Sequence, residues 1–176
     1  MEVTFENGIY SNGTTTLVKN SAGEYEIGTL EQLKLFRDAV NQLKEDNTQE
    51  FSFKDQTVKL TADIVLQNEE WTPIGNIDAI FQGTFDGQGH TISNLKITKG
   101  TSNIAANCYI GFFGHTKSPA TITNLTINNV DITGSLYVGA IVGYGFTGKE
   151  ISNCHVTGDI EIEGWWYIGG IGGNGY

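Results

Sequence analysis

Asp131 and Glu161 are the carboxylates whose spacing could do chemistry. Each lies six residues before a tyrosine, Tyr137 or Tyr167, that opens a glycine-rich phrase: YVGAIVG in one case, YIGGIGG in the other. Counted the same way from the earlier phrase YIGFFG, Asn103 takes that place. If these segments stack, the two carboxylates come to about one strand spacing, ~5 Å, from each other. That is the separation of acid and nucleophile in a retaining glycosidase. The same pair could help hold Ca²⁺, which takes several oxygens. It could also be two solvated charges that, with Asp159 and Glu163, keep an acidic face soluble. No basic residue stands close in sequence to neutralise a uronate, which weighs against a lyase. Solvated charge is the reading adopted, because structural carboxylates are common.

The dipeptide Trp165-Trp166 in GWWY is the other binding candidate. Neighbouring strand residues face opposite sides, so one indole should turn outward. There it could stack on a sugar ring or anchor a partner. The plainer expectation is that it covers an adjacent segment of chain. Cys154 and His155 are sequence neighbours, so on a strand they cannot form a catalytic pair. Three histidines and two cysteines match no zinc spacing, and no metal or cofactor is expected. FDGQGH has glycines but no following helix, which removes a phosphate-binding loop. Cys108 and Cys154 define no disulfide framework, and Cys154 reads as a small core residue.

The elements that position these residues follow from repetition. TISNLKI (Thr91–Ile97), TITNLTI (Thr121–Ile127) and EISNCHV (Glu150–Val156) recur with their first isoleucines 30 and 29 residues apart. The tyrosine phrases recur at 28 and 30. Two phrases sharing one period predict stacked structural repeats. Ile92, Leu95, Ile97 and their equivalents should face inward. Ser93, Lys96 and theirs should face water. Two residues, not one, separate Ile92 from Leu95, so the strand should bend at Asn94, Asn124 and Asn153. Asparagine tolerates the left-handed region. The three asparagines are expected to stack as a hydrogen-bonded ladder. Absent helical periodicity and longer repeats, a parallel β-helix with coils of about 28–30 residues fits best.

Before the repeats, TLEQLKLFRDAVNQLKEDN carries Leu30, Leu33, Phe36, Ala39, Val40 and Leu43 on one helical stripe. A helix over roughly 30–45 is predicted to cap the first coil and so protect its open edge. Thr29 and Gln32 have capping-box spacing. The organisation expected is one structural domain: a strand and helical cap over 1–56, then coils over 57–176. Because the text stops within a phrase, further repeats are expected beyond it.

Composition excludes several functions. The net charge is −10 and the pI about 4.6, which repels nucleic acid and anionic lipid. No apolar run approaches the ~20 residues of a membrane span. MEVTFENGIY lacks the basic and apolar regions of a signal peptide. The chain is therefore expected to be cytosolic or to have lost a targeting segment.

The stretch YVGAIVGYGFTGKEISNCHVTGDIEIEGWWYIGGIGG resembles the GLUG repeat of bacterial surface proteins. The lead-in WTPIGN…FQGTFDGQGHTISNLKI is similar to the first coils of right-handed β-helix proteins that contain it. The resemblance spans roughly 57–176. It implies an all-β, right-handed parallel β-helix with an N-terminal helical cap, in an exported, cell-surface, adhesin-like protein. The implied function is a non-catalytic adhesion or interaction module binding host or neighbouring-cell glycan or protein. GFFG departs from GAIVG by one residue between its glycines, which leaves the local register there open. The competing functions are a polysaccharide-active enzyme using Asp131 and Glu161, and a structural spacer.

Overall fold

The computed structural model describes residues 2–42, 49–67, 69–102, 104–145 and 150–175. Leu43, the last residue of the helical stripe, and Asn103 lie outside the described residues.

The chain opens with β1 (Thr4–Glu6), β2 (Ile9–Ser11) and β3 (Thr16–Leu17), a small antiparallel sheet. Next comes β4 (Tyr25–Ile27), then α1 (Leu30–Asn41) and a short α2 (Gln49–Ser52). The Thr29 hydroxyl accepts the Gln32 backbone N–H at 3.2 Å, and the Gln32 side-chain Oε1 accepts from Gly28 N at 2.9 Å. One donor that a helix start leaves unpaired, the Gln32 N–H, is thereby satisfied, and the residue before the cap is tied back to the first turn. The stripe Leu33, Phe36, Ala39 and Val40 is buried as its spacing predicts; Leu35 is buried too. The β1–β3 sheet contacts α1, so the helix is apolar on more than one side.

After the helices the chain builds tiers. The first holds β5 (Thr57–Leu60) and β6 (Ile64–Val65), and the second β7 (Thr84–Asp86), β8 (Thr91–Thr98), β9 (Cys108–Ile110) and β10 (Phe113–Thr116). The third is β11 (Thr121–Thr123), β12 (Thr126–Thr133), β13 (Leu136–Gly139) and β14 (Val142–Gly145). The fourth is β15 (Glu150–Ser152), β16 (His155–Glu163), β17 (Trp166–Gly169) and β18 (Gly172–Gly175). Each strand pairs in parallel with its counterpart in the next tier. Four parallel sheets result, ordered β15-β11-β7-β5-β4, β16-β12-β8-β6, β17-β13-β9 and β10-β14-β18.

The register corrects the alignment of the repeats. Ile92 lies beside Ile127, not Ile122, and Ile122 lies beside Phe85. TISNLKI is therefore one wall, whereas TITNLTI turns the corner between two. The step from Ile92 to Ile127 is 127 − 92 = 35 residues, and from Ile127 to Val156 it is 29. The longer circuit carries extra residues between β8 and β9, including a 3₁₀ turn at Ala105–Asn107. The near-equal isoleucine spacing masked that insertion. The extra residue of GAIVG relative to GFFG is absorbed in a corner: Ile110 pairs with Val138 and Phe113 with Val142.

Inward columns make a continuous apolar core. Leu95 and Val130 are buried neighbours, as are Ile97 and Ile132. At the N-terminal end the core is aromatic. Phe36 of α1 stacks on Phe85 at 5.8 Å and meets Phe53 and Phe81 edge-on. The helix also ties to the tiers through polar groups. Asn41 donates to the Pro73 carbonyl at 2.8 Å and accepts from Gly75 N at 2.7 Å. Arg37 lies over the Trp71 ring at 4.9 Å.

Glycines in the tyrosine phrases permit backbone-to-backbone contact where the chain turns from β13 into β14. A Cβ on Gly139 would lie 2.6 Å from the Val142 carbonyl oxygen and 2.7 Å from Gly173 N. Both are main-chain atoms that cannot swing aside. Gly139→Ala is expected to lower stability by about 1–3 kcal/mol through overpacking, read as a shift in the urea midpoint. An unchanged midpoint would mean that the corner is looser than this geometry.

Candidate binding groove

Each wall bends where its residue adopts a left-handed backbone. Asn94, Asn124, Asn129 and Asn153 have φ of 65°, 53°, 56° and 49°. Asparagine accepts this conformation at lower cost than other L residues because its short amide bonds locally. The bends at 94, 124 and 153 are those the sequence pattern predicts. Their stacking differs from the expected three-member ladder. Asn153 Nδ2 donates to Asn124 Oδ1 at 2.7 Å, and Asn124 Nδ2 donates to Asp86 Oδ1 at 2.9 Å. Asn94 belongs to another column, where its Oδ1 accepts from Asn129 Nδ2 at 3.2 Å. The register shift that moves Ile92 beside Ile127 moves Asn94 with it. Asn129 Oδ1 in turn accepts from Asp159 N at 3.1 Å. Gly158, at φ 77°, takes the bend in the fourth tier.

This second column forms one wall of a groove of about 500 Å³ on the outer face of β8, β12 and β16. Asn94, Asn129 and Asp159 stand on one side of the bend. Lys96, Asp131 and Glu161 stand on the other, with Leu95, Val130 and Ile160 between the two sides. Two residues flanking an inward-pointing one both turn outward, and repeating this in three tiers makes a trough across the strands.

Asp131 and Glu161 are in register in adjacent tiers, as their spacing before the tyrosines predicts. The residue on the other side of Asp131 is Lys96, where Asn103 was expected. Lys96 in turn lies beside Glu70 through a parallel backbone bridge, so the column reads Glu70, Lys96, Asp131, Glu161. A basic residue absent from the neighbourhood in sequence is thus supplied by the tier below. Burial raises the Glu70 carboxyl, but the Thr98 N–H at 2.8 Å and nearby lysines outweigh it and hold the group below 4.5.

The tryptophans lie elsewhere, on the fourth tier. Trp166 is in register with Leu136 and is 60% exposed; Trp165, which donates its N–H to the Ser135 carbonyl, is 65% exposed. Both indoles are accessible, where one was expected. Beside them runs an aromatic column. The Tyr109 and Tyr137 rings stack at 5.4 Å, and Tyr137 and Tyr167 at 5.1 Å. All three have φ between 57° and 62°. The tyrosine recurring in sequence is therefore a bend residue, like the asparagines, with its ring held by the tier below.

The remaining reactive groups sit as follows. Cys108 and Cys154 are free thiols, and burial raises the Cys154 thiol. His90 Nδ1 meets Asp63 Oδ1 at 3.1 Å, a contact between tiers and not within the local turn. His155 is exposed on the outer side.

Residues 134–161 match the model of the GLUG motif. The chain carries a GLUG motif. The match runs through β13, β14 and β15 into β16, so one GLUG motif corresponds to one circuit of the four walls. Its end includes all three fourth-tier groove residues, Asp159, Ile160 and Asp131's in-register neighbour Glu161. Over 102 residues the chain is also 42% identical to a protein named Halomucin from Haloquadratum walsbyi. That match covers 57% of this chain and 1% of the length of halomucin. No solved structure matches the chain.

The amide column through Asp86 gives two predictions. Asn124→Ala removes the ladder bonds and places a Cβ residue without an amide at positive φ, whereas Asn124→Gly removes only the bonds. The alanine variant should be less stable than the glycine variant by about 1 kcal/mol; equal midpoints would remove the bend from the account. The second concerns acid. Partial burial raises the Asp86 carboxyl, but hydrogen bonds from Asn124 and Gln88 outweigh it and hold it below 3.8. A lowered folded-state pKa stabilises fully above the unfolded value and is lost as pH falls through the folded one. Stability should therefore decline below about pH 4, and less steeply in Asp86→Asn. Thermal melts across that range decide it, and parallel acid limbs would refute the assignment.

Proposed function

We propose that the chain is a right-handed parallel β-helix that serves as a non-catalytic interaction module of a cell-surface protein. Its outer faces meet glycan or protein of a host or neighbouring cell. The single observation that carries this is the match of one GLUG motif to one circuit of the walls. Such a unit repeats a surface at fixed spacing, which suits display. Similarity to a protein whose name marks it as mucin-like supports an extracellular setting, and the acidic composition is consistent with it. The groove of Asn94, Asn129, Asp159, Lys96, Asp131 and Glu161 is the candidate contact surface, with Trp165 and Trp166 beyond it on the last tier. Amides and carboxylates in a shallow trough suit a hydroxyl-rich ligand, whose donors they accept.

The enzyme reading assigns acid and base to Asp131 and Glu161. In the column these follow Lys96, and among the described residues both are exposed to water, whereas a glycosidic acid with a raised pKa is sheltered from it. Binding of the 176-residue chain to a glycan array or to intact cells tests the display reading. Paired Asp131→Ala and Glu161→Ala substitutions, at exposed positions outside the bends, should weaken binding about tenfold while leaving the melting temperature near that of the parent. Hydrolysis of a polysaccharide panel, lost in Asp131→Asn, would replace this function with the enzyme. Silence in both assays would leave a spacer.

A further inference from the structure

Two tripeptides of the chain read asparagine, a residue other than proline, then threonine: Asn12-Gly13-Thr14 and Asn124-Leu125-Thr126. That pattern is the acceptor of N-linked glycosylation, a modification of surface loops in exported proteins. The fold treats the two differently. Asn12 lies in the turn between β2 and β3, where Ser11 pairs with Thr16 and residues 12–15 close the hairpin. Its Oδ1 accepts from Thr14 N at 3.2 Å, from the Thr14 hydroxyl at 3.1 Å and from Thr15 N at 2.9 Å. The carboxamide is thus fixed through its oxygen, and its Nδ2 makes no hydrogen bond among the described residues. Gly13 and Thr14 are exposed, and a Cβ on Gly13 would meet nothing within 4 Å, so the space beyond the turn is open. Asn124 is the opposite case. Its Nδ2 donates to Asp86 and its Oδ1 accepts from Asn153, so both ends of the carboxamide are committed to the ladder. Leu125 beside it is fully buried, and a Cβ on Gly87 would lie 2.4 Å from the Asn124 carbonyl oxygen.

We propose that Asn12 is an N-glycosylation acceptor and that Asn124, in the folded chain, is not. In the transfer, Asn12 Nδ2 forms a bond to the anomeric carbon of an oligosaccharide carried on a polyprenyl diphosphate. The bond from that carbon to the phosphate oxygen breaks, and the diphosphate leaves with the electron pair. Nδ2 gives up one proton to a base of the oligosaccharyltransferase, and nothing is oxidised or reduced. The Thr14 hydroxyl, held against the Asn12 carboxamide, is the group that the acceptor pattern requires at this place. The glycan would stand off the cap end of the molecule. No residue lining the groove belongs to β1, β2 or β3, so the contact surface is left clear. The site rests on the exported setting of the proposed function but not on its ligand, so a failure of glycan-array or cell binding leaves it standing.

The test incubates the folded 176-residue chain with a polyprenyl-diphosphate oligosaccharide and a single-subunit oligosaccharyltransferase that needs only the acceptor tripeptide. Intact mass should rise by one oligosaccharide, and peptide mapping should place it on Asn12. Thr14→Ala keeps both backbone bonds to Asn12 Oδ1, so it should lose the modification while melting as the parent does. Thr14→Ser should restore it. Thr126→Val should leave the modification unchanged. A synthetic peptide of residues 119–131, free of the ladder, should be modified at Asn124, which ties the protection of that residue to the fold. A chain left unmodified, or one still modified in Thr14→Ala, would overturn the assignment of Asn12. Modification of the folded chain at Asn124, or a peptide that stays unmodified, would overturn the role given to the ladder.

Discussion

Parallel backbone pairing between tiers is the constraint on which the rest of this molecule depends. In a parallel ladder each residue lies beside one counterpart in the next strand, and side chains at that level point the same way. Once Ile127 is fixed beside Val156, the positions of Val130, Asp131 and Ile132 follow, apart from a single bulge. A tier alone has an apolar inner face and two unpaired edges, and so cannot persist in water. Stability is then cooperative between neighbours. It must be terminated where the stack begins, and α1 does this through Phe36.

Corners carry the second constraint. A stack stays in register only if every tier bends at the same place. The chain meets this with residues that adopt positive φ and also touch the tier below. Asn124 and Asn153 do it with amide bonds, and Tyr109, Tyr137 and Tyr167 with stacked rings. Left-handed backbone in a tyrosine costs on the order of 1–3 kcal/mol. Ring stacking and inter-tier contact offset that, so bend and stack stabilise each other. Where neither amide nor ring is available, glycine takes the corner, as Gly158 does beside Asn129.

Much of this was legible in the residues. The recurrence of isoleucine phrases gave stacked repeats, and the Asn between Ile92 and Leu95 gave the bend. The helical stripe gave α1. The tyrosine count placed Asp131 beside Glu161. What escaped was register between the first two copies. TISNLKI and TITNLTI are alike because both combine inward isoleucine and leucine with an asparagine bend, and that pattern suits a wall and a corner equally. The insertion after Thr98 lengthened one circuit enough to bring the wrong copies into phase. Lys96 in the carboxylate column and the pairing of Asn94 with Asn129 were hidden by the same slip. The doublet Asn128-Asn129, near the middle of TINNVDI, was the available signal for the second amide column.

Stacking like on like also explains where specific chemistry can reside. Apolar, amide and aromatic columns gain from repetition, because each member contacts an identical neighbour favourably. Charged columns lose, since identical carboxylates at about 5 Å repel. A strictly repeated sequence would therefore make its charged face its weakest. This chain alternates the sign of that face through Glu70, Lys96 and Asp131 and lets like charges adjoin only at Asp131 and Glu161, both exposed to water, while keeping Leu95, Val130 and Ile160 apolar beside it. The inner columns are thus held to sameness, while the outer charged column is free to vary. A surface of defined composition, rather than a uniform stripe, can arise only in the second kind of column, and the groove lies against it.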